Sequence, residues 1–234
     1  MSPADSADGP VSGPLRLNYS AELEQLRLQT EVMGLRVDQT LERMRDVLLT
    51  GDPAIAAAAL AADDEIDAMN ASLTERCYDV LARETPVASD LRLVVSVVRV
   101  TSELERVGDL SLRVVKAGLD HERLVSQPRA YDILCVMATQ AIDMFRDAIR
   151  AWGTEDLDLA TRLATDPRLT DMAYAQLVDC LVRLDGPDAA AVAMSMLVAG
   201  QALDRIGDHS AILGSRLRYL ITGDPHHLAA EVRR

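Results

Sequence analysis

Aromatic residues are scarce in this chain: Phe, Tyr and Trp together make up 3% of 234 residues. A core assembled from Leu, Val, Ile, Met and Ala suits helices packed on helices and argues against a sandwich rich in β-branched and aromatic residues. Cysteine is equally thin. Cys77, Cys135 and Cys180 are far apart, with no Cys-x-x-Cys, which excludes a disulfide framework or a thiolate zinc site and fits a reducing, cytoplasmic setting. Basic residues are outnumbered, 24 against 37 acidic, and the net charge of −13 makes nucleic acid a poor partner. The most apolar stretches, Ala54 to Ala62 and Ala189 to Ala199, are shorter than the ~20 residues of a membrane span, and the polar start has no signal-peptide core. The expectation is a soluble protein without direct membrane insertion. There is no P-loop, no Gly-x-Ser-x-Gly and no His-Glu-x-x-His, so nothing nominates a nucleophile or a phosphate cradle. The chain reads as a non-enzyme.

What is present is helical periodicity. Residues 1–18, rich in Pro, Gly, Ser and Asp, read as a disordered tail. From Ser20, an expected N-cap, Leu23, Leu26, Met33, Val37, Leu41, Met44 and Leu48 recur at helical spacing until Gly51. Asp52-Pro53 opens a second helix that should run to Thr85-Pro86, and Ser89 or Asp90 a third that ends near Gly118. The pattern then repeats. Pro128 opens a fourth helix, Thr154 a fifth, and Gly186-Pro187-Asp188 a sixth that ends before Gly223. The prediction is an all-α protein of two tandem three-helix bundles, 19–119 and 128–222, joined by 120–127 and followed by a polar tail, 223–234.

The strongest internal repeat is Leu104-Glu105-Arg106-Val107-Gly108-Asp109 against Leu203-Asp204-Arg205-Ile206-Gly207-Asp208. Glu105 with Asp109, and Asp204 with Asp208, are spaced i, i+4 and share a helix face. On an exposed helix such a pair is ordinarily a solvated face that costs a few tenths of a kcal/mol. Gly108 and Gly207 add a second signal, because a mid-helix glycine costs about 1 kcal/mol against alanine. Either a neighbouring helix packs close there or a ligand approaches the backbone. Asp63 and Asp67 form a further pair on the second helix, which an antiparallel bundle would bring opposite Glu105 and Asp109. Clustered carboxylates without His or Cys favour Mg²⁺, Mn²⁺, Ca²⁺ or iron over zinc. In the second repeat Asp166 is the counterpart of Asp63. Thr170 stands where Asp67 stood, Pro167 interrupts the helix, and Asp171 is the available substitute.

Arg92, Arg99, Arg106 and Arg113 follow one another at seven-residue steps on the third helix. Ion pairs such as Arg99 with Glu103 and Asp109 with Arg113 would account for them, with anion or partner binding as the alternative. The second repeat keeps only Arg205. The four histidines form no credible ligand set, and no Glu-x-x-His occurs, which argues against a ferritin-like di-metal oxidase.

Pro86-Val87-Ala88-Ser89-Asp90-Leu91-Arg92, then Glu103-Leu104-Glu105-Arg106-Val107-Gly108-Asp109, then a second Asp-Arg-Ile-Gly-Asp, resemble the PhoU family of phosphate-signalling regulators. The resemblance runs from about Tyr19 to Thr222 and takes in the opening Tyr19-Ser20-Ala21-Glu22-Leu23. It implies a cytoplasmic, non-catalytic, often dimeric protein that keeps the phosphate-starvation response off when phosphate is plentiful. It also implies contacts with the ATPase of the Pst phosphate transporter (PstB-like) and with a PhoR-type sensor histidine kinase. Some members bind metal clusters through E/D-x-x-x-D motifs, which here are Asp63/Asp67, Glu105/Asp109 and Asp204/Asp208. A carboxylate-bridged metalloenzyme and a purely structural helical scaffold are the competing readings.

Overall fold

The computed structural model describes residues 14–186 and 188–229, and among these every regular element is a helix. The first repeat holds α1 (Pro14–Thr50), α2 (Pro53–Ala61), α3 (Asp63–Glu84) and α4 (Ala88–Gly118). A short α5 (His121–Val125) occupies the segment expected as a plain linker. The second repeat holds α6 (Pro128–Thr154), α7 (Leu157–Thr165), α8 (Leu169–Leu181) and α9 (Ala189–Thr222), followed by a 3₁₀ turn at Pro225–Leu228. The expected N-terminal tail lies outside the described residues as far as residue 13. Its last part, 14–18, is already helical, so Ser20 sits inside α1 rather than capping it.

Local chemistry explains the boundaries. Asp52 caps α2, its Oδ1 accepting the N–H of Ala54 at 2.7 Å and of Ile55 at 3.4 Å. Asp156 caps α7 by accepting the N–H of Leu159 at 2.9 Å, so the fifth helix starts at Leu157 and not at Thr154. α4 begins at Ala88, ahead of the caps expected at Ser89 or Asp90. Asp90 instead accepts the Tyr19 hydroxyl at 3.1 Å, tying the start of α1 to the start of α4. Each middle helix is broken in two. At Ala62 the chain re-nucleates because Asp63, Asp64 and Glu65 together suit the positive end of a new helix. At Pro167 the cause is steric: the preceding residue is driven extended, and Asp166 has ψ 148°.

The two repeats do not fold apart. α1 and α3 pack on α4 as α6, α7 and α8 pack on α9, and the repeats join through α4 against α9 and α1 against α6, over one continuous apolar core. Gly34 permits the second of these junctions, since a Cβ there would lie 2.6 Å from Ile149 Cδ1. α9 extends well beyond the apolar stretch noted in the sequence and by length and composition could cross a bilayer. Its Val192, Met196, Leu203, Ile206, Leu213 and Leu217 are buried against the rest of the protein, the use made of a core helix.

Candidate metal centre

α3 and α4 face each other across the first repeat. Asp63 feels Asp109 most strongly among its charged neighbours, and Glu105 feels Asp109, Asp67 and Asp63, so the four carboxylates form one group. Partial burial pushes the Asp63 carboxyl up, and Asp109, Asp67 and Asp64 push it further, against a smaller opposing pull from Lys116. Glu105 is raised in the same way, by burial first and then by Asp109. One turn past Asp67 on the same face of α3, Asn70 buries an Oδ1 that has no hydrogen-bond partner. The donor set is therefore oxygen only and mutually repelling, with Lys116 and Arg106 offsetting part of that repulsion, and an all-oxygen set suits a hard divalent cation. As the side chains stand, no three acidic, His or Cys groups among the described residues are close enough to hold one ion, so a cation would have to draw them inward by rotation.

Gly108 contributes space here. A Cβ at this position would meet Ile66 at 3.5 Å and Asp63 Oδ1 at 4.0 Å, ordinary contacts that show α3 passing close without demanding glycine. Gly207 is more constrained: a Cβ there would lie 2.7 Å from Thr170 Oγ1.

The counterpart cluster in the second repeat is different. Asp204 and Asp208 do share a face of α9, but Asp166 is exposed, caps the end of α7 and borders a surface cleft with Asp147 and Arg162. It does not join them. Asp171 does: burial first, and then Asp171 beside it, raise the Asp204 carboxyl. Arg168 then enters the group, ion-paired to Asp208 and, at 2.6 Å, to Asp171. Asp204 and Asp208, predicted as metal ligands, thus stand in a cluster that already contains a guanidinium.

The arginine stripe divides. Arg92 donates from Nε to the Leu220 carbonyl of α9 at 3.3 Å, tying α4 to α9, and Arg99 lies 3.7 Å from Glu103 one turn along α4 itself. Arg106 and Arg113 are exposed and, with Asp109, Leu110, Arg205 and His209, line a cleft of about 130 Å³ between α4 and α9. Sequence reasoning missed the contact beneath it. Glu103 and His209, both buried, meet Oε2 to Nδ1 at 2.5 Å and join the two repeats. Burial would raise Glu103, but the His209 bond and the positive Arg106 and Arg99 outweigh it and hold the carboxyl below its usual value.

The comparisons with known proteins agree with this architecture. The model of the PhoU domain matches twice, over residues 30–117 and 134–217. A phosphate-specific transport system accessory protein PhoU homolog of Pseudomonas aeruginosa is 30% identical over 213 residues, covering 90% of this chain and 88% of the relative. The protein of that name from Escherichia coli is 26% identical over 216 residues, covering 91% and 89%. The crystal structure of PhoU from Pseudomonas aeruginosa superposes with a TM-score of 0.83 at 30% identity, covering 88% of this chain and all of that one. With two copies of its domain spanning the helical repeats, the chain belongs to the PhoU family.

Proposed function

We propose that this protein is an accessory regulator of phosphate uptake that restrains the phosphate-starvation response when phosphate is plentiful. Two PhoU domains over most of the chain, together with the likeness to accessory proteins of the phosphate-specific transport system, carry this reading. It acts in the cytoplasm by contact rather than by turnover, as a homodimer that links a Pst transporter ATPase to a PhoR-type sensor histidine kinase. The Asp63, Asp67, Glu105 and Asp109 group binds a divalent or iron-type cation, with Mg²⁺, Mn²⁺ and Fe²⁺ the better matches to an all-oxygen set and zinc a poorer one.

The α4–α9 seam is the best-suited partner face. Arg106, Arg113, Lys116 and Arg205 are exposed along it, in a chain that is otherwise strongly acidic, beside the exposed apolar Met194 and Val198. Positive charge of this kind steers association with an acidic partner surface and sets its salt dependence. Co-purification with a tagged transporter ATPase and with a tagged kinase tests the adaptor role. Arg113→Glu combined with Lys116→Glu is expected to weaken recovery of at least one partner by about tenfold at low salt, with the helical circular dichroism unchanged. Undiminished recovery of both would move the interface elsewhere, and recovery of neither by the wild-type chain would remove the adaptor role.

A further inference from the structure

The two acidic clusters occupy equivalent places in the two repeats but differ at the α8 side. Asp63, Asp64, Glu65 and Asp67 of the first repeat correspond to Asp166, Pro167, Arg168 and Thr170 of the second. Three acids are replaced by a proline, an arginine and a threonine. Pro167 breaks the helix, and Arg168, at φ −80° and ψ 132°, becomes the extended residue just ahead of α8 instead of a residue on its outer face. The arginine side chain is only 15% exposed and turns inward, with its guanidinium on Asp208 and Asp171. A planar fork of donors is well suited to bridge two carboxylates in this way. Thr170, packed against Gly207, fills space that its counterpart Asp67 leaves open on the surface of the first repeat.

We propose that Arg168 is a resident cation that takes the place of a metal in the second repeat, so that the chain accepts metal at the Asp63/Asp109 cluster alone. Metal binding at the first cluster rests on the function proposed above. The remainder depends on the Arg168 geometry and can stand or fall separately. Two repeats of one ancestral pattern would then satisfy the same clustered negative charge by different means, one exchangeable and one covalently built in. The second repeat would keep its shape when metal is withdrawn.

The test loads the full-length chain with MnCl₂, removes free ion and measures bound manganese and thermal stability. In the Asp63→Asn/Asp109→Asn chain the expected manganese content is near zero, because Arg168 holds the other cluster closed. Adding Arg168→Gln to that chain is expected to lower its melting temperature, and Mn²⁺ should then restore it while binding at about one equivalent, at least roughly tenfold more tightly than before. Manganese that persists in the Asp63→Asn/Asp109→Asn chain and disappears with Asp208→Asn would overturn the proposal. So would an Arg168→Gln chain whose melting temperature matches its parent with and without Mn²⁺. Should Arg168→Gln fail to fold even with Mn²⁺, the Asp208→Asn comparison decides. A wild-type chain that takes no manganese, beside an Arg168→Gln chain that does, would remove the first-cluster reading and keep this one.

Discussion

Replacing Glu103 with alanine is expected to destabilise the protein by about 3 kcal/mol and to lower its melting temperature by roughly 6–12 °C. Glu103 is 3% exposed and His209 9%, and they bridge α4 of the first repeat to α9 of the second. Removing one partner leaves the other buried without its bond, which costs far more than an exposed ion pair is worth. Glu103→Gln, which keeps a polar group at the site, should lose only about 1 kcal/mol. The pH dependence has a definite sign. A carboxyl held below its unfolded value contributes stability that is fully present above that value and lost as pH falls through the lower, folded one. The share of the gap between wild type and Glu103→Ala that comes from this shift should therefore be fully present above the usual glutamate value of 4.5 and close progressively in acid below it. Thermal melts of the three proteins across this range check both the size and the trend.

A saturating divalent cation should raise the melting temperature of the wild-type chain by roughly 5–11 °C, the effect of about 2.7 kcal/mol at a hundredfold excess over Kd. The Asp63→Asn/Asp109→Asn chain should show no such rise and should be slightly more stable than the metal-free wild type, by a few tenths of a kcal/mol. Both follow from one cause. Asp63 and Glu105 have raised carboxyls, so the folded state holds protons that the unfolded state releases. Stability of the metal-free protein then falls as pH climbs from the unfolded values of 3.8 and 4.5 through the raised, folded ones. A cation, or the loss of two charges, relieves the same repulsion. Calorimetric titration of wild type and variant with Mn²⁺ measures the binding directly.

The helices were legible because their apolar residues keep a helical period over many turns, and Asp52, Pro128 and Gly223 mark ends that the structure keeps. The break at Pro167 announced itself in the sequence. The one at Ala62 did not, because alanine is a strong helix former and only the run of three acids that follows hints at a new N-terminus. Glu155 takes the left-handed turn after α6, at φ 52°, although it is not a glycine. Gly153 lies within α6, where a Cβ would come within 2.8 Å of Glu31 Oε1 on α1, so the missing side chain eases the approach of the two helices.

The first acidic cluster was readable from i, i+4 spacing plus an antiparallel bundle. The state of the second was not, because where Arg168 points is decided by backbone angles after a proline rather than by its place in a periodic pattern. The Glu103–His209 bond is less visible still. Its partners are 106 residues apart, and no local pattern tells which faces of the two motif-bearing helices will meet. His209, one of four histidines that form no ligand set in the sequence, holds a structural post.

The most direct test of the account is a phosphate-starvation reporter in phosphate-replete medium, measured in a strain lacking this gene and any paralogue and complemented with the wild-type chain. The reporter is expected to come on without the gene and to be silenced again by complementation. A reporter that stays off in the deletion strain would contradict it and would mean that the PhoU fold serves another task in this protein.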